Sequence, residues 1–285
     1  TTASPEDIAR IGGSRSVGLL KSLPKEQIAG LDGQRVRRFV EIMSADEITG
    51  IDQSKLNEVS KLLGEADLKL LGNDRIKSIV GVLSNDSNSL DRQALLKALK
   101  TLDSNSYKTL EEDIMVSLFQ VLEGDQIEGL DRSFRSAVLK NLMAESISLI
   151  PTDKIRFLIA EIKADNSDIL TGDKSYMLLS VSPIEDLKRM NTEQVYLFSE
   201  AIKVEQMELV GGEKLEALMD KIQTQDLSRL DKLRVHEMSS LISDSGLSSL
   251  ADSKKAIVLA KINADFIEYG TDGSPTIPSG STQAY

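Results

Sequence analysis

An apolar residue recurs every twenty residues along almost the whole chain, and this repeat constrains the fold more than any other feature. The interval is 20 residues throughout, except for one interval of 19. A second apolar column lies twelve residues after the first and is broken only at Ser182. Together they define thirteen repeats from Ser4 to Ile262, with a first column of Ile11, Leu31, Ile51, Leu71, Leu90, Leu110, Leu130, Ile150, Leu170, Met190, Val210, Leu230 and Leu250. Such regularity is typical of solenoids, in which each repeat contacts its neighbours.

Each repeat carries the start signals of two helices. A short acidic segment opens with Ser or Pro followed by acids, as in Ser44–Ile48 (SADEI), which is a helix N-terminus signature. The residue after each first-column position is Asp, Gly, Asn or Thr in ten of the thirteen repeats, and these types cap helices. A helix of about ten residues is then predicted by apolar spacings of three and four, as at Leu56, Val59 and Leu63. Helices this short are marginal alone, so we expect them to stack.

The sequence therefore predicts an all-α solenoid, a superhelix of about thirteen two-helix repeats, over residues 1–269. Residues 270–285, rich in Gly, Ser, Thr and Pro, are predicted to form a flexible tail or linker. Two repeats should be irregular: Ser84–Leu102 is one residue short with a polar opening, and Lys163–Ser182 has serine at three apolar positions. The absence of an initiator Met leads us to expect a processed product or a piece of a longer protein.

Composition excludes several classes of function. The chain has 45 Asp and Glu against 34 Lys and Arg, a net charge of -11, which disfavours binding to nucleic acid or to an anionic membrane. Cysteine is absent, so disulfides, thiolate zinc sites and Cys nucleophiles are excluded. No apolar run approaches the roughly 18 residues that cross a bilayer. We expect a protein partner or self-association, without nucleic acid and without membrane insertion.

The stretch Glu123–Phe134 (EGDQIEGLDRSF) has the acids and glycines of a calcium-binding loop but not their order. Such a loop needs oxygen ligands at alternating positions, Gly at the sixth and Glu at the twelfth. Counting from Asp125 places Ile127 and Gly129 at ligand positions, and counting from Asp131 fails in the same way. We interpret Asp131 as the cap of a helix and predict no metal site.

No catalytic group stands out in the sequence. His236 is the only histidine, so it has no second His and no Cys with which to share a metal, and the G-x-S-x-G elbow of serine hydrolases is absent. The pairs Gly12-Gly13 and Gly211-Gly212 fall at cap positions and lack the flanking residues of a phosphate loop. We predict a non-enzymatic protein with no cofactor.

Basic residues cluster at two places. Arg35, Arg37 and Arg38 form the densest group, and Arg132 with Arg135 forms a smaller one. In an acidic protein these arginines are a candidate interaction patch for an acidic partner or for another copy of the chain. The alternative, which we favour, is the exposed flank of a helix.

The phrases Ser4–Ile8 (SPEDI) and Pro183–Met190 (PIEDLKRM) resemble the openings of the superhelical repeats in mesothelin, stereocilin and otoancorin. The resemblance implies an extracellular or cell-surface protein of adhesion or of a surface layer, not a catalyst. That family contains cysteine, so a bacterial or other extracellular repeat protein of independent origin stays open.

We accordingly expect a structural or adhesive repeat protein that presents an extended surface for self-assembly or partner binding. The alternative is a cytoplasmic adaptor solenoid that binds a peptide or protein in its concave groove.

Overall fold

A computed structural model describes residues 7, 10–85, 91–263, 268–269 and 275–276. This part of the chain is helical apart from two short strands, Glu268–Tyr269 and Pro275–Thr276, which pair antiparallel. The repeat pattern predicts neither strand. The rest of the predicted tail, 270–285, lies outside the described residues. So does most of the polar opening of the repeat Ser84–Leu102, where an irregularity was expected.

Long and short helices alternate along the chain, as predicted. A helix of eight to twelve residues begins immediately after each predicted cap position. These long helices are Gly13–Ser22, Gly33–Glu41, Gln53–Leu62, Asn73–Ser84, Arg92–Thr101, Glu112–Val121, Arg132–Asn141, Thr152–Ile159, Gly172–Val181, Thr192–Ala201, Gly212–Lys221, Lys232–Leu241 and Asp252–Asn263.

Between them lie helices of four to seven residues. These short helices are Lys25–Ala29, Ala45–Thr49, Glu65–Leu71, Ser104–Tyr107, Gly124–Glu128, Ala144–Ile147, Ile184–Arg189, Met207–Val210, Thr224–Arg229 and Asp244–Ser249. Two further segments, Ala164–Ile169 and Val204–Gln206, are 3-10 helices.

Most of the predicted cap residues cap the long helices through their side chains. The capping oxygen accepts a hydrogen bond from a backbone N–H two or three residues later at Asp32, Asp52, Asp91, Asp131, Thr171, Asn191 and Asp231. Glycine takes the cap position in three other repeats, with φ of 84° at Gly12, 79° at Gly72 and 91° at Gly211. A residue with a Cβ atom would be strained at these positive φ angles, so glycine is required there. The cap column therefore fixes where the long helices begin.

The core is made of the two apolar columns and the helical residues between them. First-column residues from Ile51 to Leu250 are buried, apart from Leu90, which is not among the described residues. Aromatic residues also fill the core at Tyr107, Phe119, Phe157 and Phe198, whereas Tyr176 and Tyr196 are half-buried.

The chain divides into two compact units. The first comprises Thr1–Leu142 and Leu149–Leu158, and the second comprises Met143–Ser148 and Ile159–Tyr285. In the first unit, the long helix Gln53–Leu62 contacts the short helix Lys25–Ala29 and the long helix Asn73–Ser84. In the second unit, Gly212–Lys221 contacts the next long helix, Lys232–Leu241. In both units, each of these long helices therefore packs against helices that are close to it in the chain.

The repeat Lys163–Ser182 is irregular, as predicted. Its short segment is the 3-10 helix Ala164–Ile169, which is interrupted at Asn166 by φ of -135° and ψ of 25°. Ser182 is buried where other repeats carry an aliphatic side chain, and its hydroxyl donates to the Leu178 carbonyl at 2.5 Å. This bond satisfies the hydroxyl inside the core.

Candidate interaction surface

The first arginine cluster is paired with acids of its own helix and of a later short helix. Arg35 Nη1 lies 3.0 Å from Asp32 Oδ2, and Arg38 Nη1 donates to Glu41 Oε2 at 2.8 Å. All three arginines of the cluster are partly buried. Their positive charge is therefore largely offset locally, which weakens the case for a basic docking patch.

Arg37 reaches further than its neighbours. Its Nε lies 3.5 Å from Asp67 Oδ1, on the short helix Glu65–Leu71, as an ion pair without a hydrogen bond. Only 21% of the Arg37 side chain is exposed. Arg37 thus links a long helix to a later short helix within the first compact unit.

The two arginines of the second cluster, Arg132 and Arg135, differ in their surroundings. Arg135 Nη1 donates to the carbonyls of Ile127, Glu128 and Leu130 at 3.2, 3.0 and 2.9 Å. These carbonyls end the short helix just before it, where backbone acceptors lack partners in the helix itself. Arg132 is exposed. Arg135 therefore caps a helix C-terminus, a role that was not predicted.

Sequence reasoning missed a column of cations three residues after the cap. Lys or Arg occupies this position in nine of the thirteen repeats: Arg15, Arg35, Lys55, Arg75, Lys154, Lys174, Lys214, Arg234 and Lys254. Gln194 takes it in a tenth. Aligning the repeats on their cap residues shows this recurrence, so the column could have been found from the sequence alone.

Lys214 shows the geometry of this column most clearly. Its Nζ donates to the carbonyls of Leu179 and Ser180 at 2.8 and 2.6 Å, at the C-terminus of the long helix two repeats earlier. In the second unit, the same kind of contact joins Arg234 to Ser199 and Ile202, Lys254 to Met219 and Asp220, and Gln194 to Ile159 and Ile162. In the first unit, it joins Lys55 to Lys21, Arg75 to Met43, and Lys154 to Gln120.

The chemistry of these contacts is the chemistry of helix ends. The last carbonyls of a helix lack intrahelical donors and carry the negative end of the helix dipole, so a cation satisfies both needs. Burial lowers the pKa of Lys154, Lys214 and Lys254. The carbonyl oxygens act in the opposite direction, because they stabilise the charged form. We call the contacts between the Lys and Arg side chains at this position and the helix-end carbonyls the cation ladder.

On the part of the surface that the structure describes, each compact unit has an open cleft. The first, of about 350 Å³, includes Lys61, whose Nζ bonds Glu58 at 2.9 Å and lies 3.6 Å from Asp91; the hydrogen bond to Glu58 raises the pKa of Lys61. The second, of about 510 Å³, includes Glu216, which accepts a hydrogen bond from Ser243 at 3.0 Å. Lys61 and Glu216 thus pair with neighbouring side chains along the surface.

His236 lies half-buried on the long helix Lys232–Leu241, and its Nδ1 has no hydrogen-bond partner. Across the described ranges, no three or more His, Asp or Glu side chains are placed to hold a metal ion together. None of the helices in that part of the chain has the length and apolar composition needed to cross a membrane.

No protein family matches the chain, and no curated protein sequence matches it.

Proposed function

We propose that this chain is an α-solenoid of thirteen two-helix repeats that acts as a structural or adhesive scaffold. It would present an extended surface for self-association or for a protein partner. The cation ladder carries this proposal, because it links a long helix to the one two repeats earlier in both compact units. Examples are Lys55 and Lys154 in the first unit and Lys214 and Lys254 in the second. Contacts that recur between nearby repeats, here between a repeat and the second one before it, are of the kind that stabilises a stack of repeats.

The surrounding chemistry supports a scaffold more than a catalyst. The charged groups described above bind helix ends or neighbouring acids, as Arg135 and Arg38 do. We propose an extracellular or cell-surface setting on the resemblance of the repeat openings to those of mesothelin, stereocilin and otoancorin. The net charge of -11 favours solubility and a cationic rather than an anionic partner.

Small-angle X-ray scattering of the dilute chain tests the solenoid. Thirteen long helices stacked about 8–10 Å apart give a maximum dimension on the order of 100 Å. A compact globular domain of this length would instead have a radius of gyration of roughly 19 Å. We expect a value well above that figure, and a measured value close to it would refute the proposal.

A further inference from the structure

The short segment of the repeat Lys163–Ser182 lacks a core side chain that other repeats have. The fourth residue before the cap is a large apolar residue, at most 3% exposed, in nine repeats. These nine residues are Ile28, Ile48, Leu68, Tyr107, Ile127, Ile147, Leu187, Met207 and Leu227. The same position in this repeat is Ser167, which is half-buried, and no residue of the 3-10 helix Ala164–Ile169 is buried. The segment Ala164–Ile169 therefore contributes no side chain to the core.

The 3-10 geometry alone does not explain this difference. The short segment two repeats later also begins as a 3-10 helix, Val204–Gln206, but it then buries Met207 completely. What Ala164–Ile169 lacks is thus an apolar side chain at one position. Helices this short are not stable alone, so burial of such a side chain supplies much of what holds a short segment on the core.

Two further serines weaken the same repeat. Ser175 is completely buried at a position that is apolar in nine other repeats. Its hydroxyl donates to the Thr171 carbonyl at 2.9 Å, one turn earlier, as the Ser182 hydroxyl does to the Leu178 carbonyl. These bonds satisfy the two hydroxyls within their own helix. They add no contact with a neighbouring helix, so they do not replace the apolar contacts that the repeat lacks.

We propose that Ala164–Ile169 is an opening point of the fold, a segment that detaches from the core while the long helices on either side of it stay folded. The segment contacts the long helix Thr192–Ala201, and the Ala164 N–H donates to Glu193 Oε1 at 3.0 Å. Opening would break that hydrogen bond and uncover the side of Thr192–Ala201 that the segment contacts.

The long helix of the same repeat, Gly172–Val181, is held independently of the segment. Leu178 and Leu179 are completely buried, and Asp173 accepts a hydrogen bond from Lys203 at 2.8 Å. Opening would therefore stop at the short segment. This inference rests on the proposed function in one respect, because a stack of repeats is what allows one repeat to open while its neighbours stay folded. The scaffold would then yield at a fixed place without losing the stack.

Hydrogen exchange at two matched amides of the 285-residue chain, followed by NMR, tests the opening. The Leu170 N–H donates to the Ser167 carbonyl at 2.9 Å, and the equivalent Met190 N–H donates to the Leu187 carbonyl at 3.1 Å. Both residues are at most 5% exposed, so the closed structure protects the two amides alike. After correction for intrinsic rates, we expect exchange at Leu170 to be at least about tenfold faster than at Met190. Equal rates would overturn the proposal.

Restoring the missing side chain tests the cause. Ser167→Met supplies the residue that Met207 provides in the similar segment, and it should slow exchange at Leu170 by about tenfold. Ser167→Gln is the matched control, because glutamine is of similar size but its amide resists burial; exchange at Leu170 should not slow. Met207→Ser should have the converse effect and speed exchange in Met207–Val210. If the two substitutions of Ser167 act alike, or if Met207→Ser leaves exchange in Met207–Val210 unchanged, the proposal is overturned.

Small-angle scattering from the same unsubstituted chain distinguishes this proposal from the proposed function. An extended chain in which Leu170 and Met190 exchange equally would overturn the opening point and leave the solenoid standing. A compact chain would overturn the solenoid, whatever rates the two amides show.

Discussion

Replacing Lys214 with methionine tests whether the cation ladder stabilises the fold. Methionine keeps most of the apolar stem, so the change removes mainly the ammonium group. That group donates to the carbonyls of Leu179 and Ser180 at 2.8 and 2.6 Å. Without it, these two acceptors lose their donor at a partly buried helix end.

The magnitude follows from two opposing effects. A hydrogen bond that involves a charged group contributes about 1.5–3 kcal/mol. Burial of the ammonium, which lowers the pKa of Lys214, costs part of that gain. We therefore expect Lys214→Met to reduce the free energy of unfolding by about 1–2 kcal/mol.

Denaturant unfolding followed by circular dichroism measures the overall effect, and amide hydrogen exchange locates it. Repeat proteins open locally, so exchange should accelerate most in the helices Gly172–Val181 and Gly212–Lys221. Lys100→Met is the control, because Lys100 is exposed and has no hydrogen bond or ion pair in the described structure. Its effect should stay within about 0.5 kcal/mol. If Lys214→Met changes stability no more than Lys100→Met does, the ladder is not a stabilising element.

Three further outcomes concern the caps. Asp131→Ala should cost about 1 kcal/mol in denaturant unfolding, because the carboxylate caps its helix through the Ser133 N–H; an unchanged midpoint would contradict this. That hydrogen bond also lowers the pKa of Asp131, so its stabilisation is present above pH about 4 and is lost as pH falls through the lowered pKa. An acid titration of stability should therefore be shallower in Asp131→Asn, and identical titrations would exclude the linkage. Gly211→Ala should cost about 1–2 kcal/mol, since φ is 91° there and no atom crowds an added Cβ. Gly30→Ala, at φ of -84°, should be near neutral, and equal losses at both glycines would rule out a conformational origin.

The positions of the helices were predictable because their determinants are local. Asp52 marks the start of its helix by accepting from the Lys55 N–H, three residues away, and the repeat places a cap residue at the same point in each unit. The irregular repeat was predictable for a similar reason. Ser182 interrupts an aliphatic column, and that interruption is visible in the sequence alone.

The arginine clusters were harder to interpret because part of their environment is distant in sequence. The pairing of Arg35 with Asp32 follows from i,i+3 spacing and was open to prediction. Arg37 pairs with Asp67, thirty residues later, and no local pattern marks that acid as its partner. A dense run of positive charge therefore suggested a patch, although acids on its own helix and on a later helix offset it.

The ladder shows a further limit, because its acceptors are main-chain carbonyls. Every residue has a backbone carbonyl, so nothing in the sequence marks the carbonyl of Gln120 as the group that Lys154 binds. Only the stacking of helices brings the two together. The donors recur at a fixed position and can be found by alignment, whereas their acceptors become known only from the structure.

The cation ladder is interrupted in three successive repeats, where the position is occupied by an apolar residue. Three successive repeats carry Ala94, Ile114 and Phe134 at the ladder position. Phe134 is fully buried, with its ring 5.3 Å from Tyr107 and 6.3 Å from Phe119. A cation at that position would have to enter this aromatic cluster without a counter-charge, which is costly.

Donors to helix ends are nevertheless retained next to the interruption, at other positions. Arg135, one residue after Phe134, binds three carbonyls at the end of a short helix, and Arg92 donates to the Val121 carbonyl at 2.8 Å. Arg92 binds the same helix end as the ladder residue Lys154, but from an earlier repeat, whereas Arg135 binds the end of the short helix just before it. What recurs is thus the pairing of a long cationic side chain with a helix C-terminus rather than one fixed position. That pairing is expected wherever short helices pack end to side, because each helix adds terminal carbonyls that need donors.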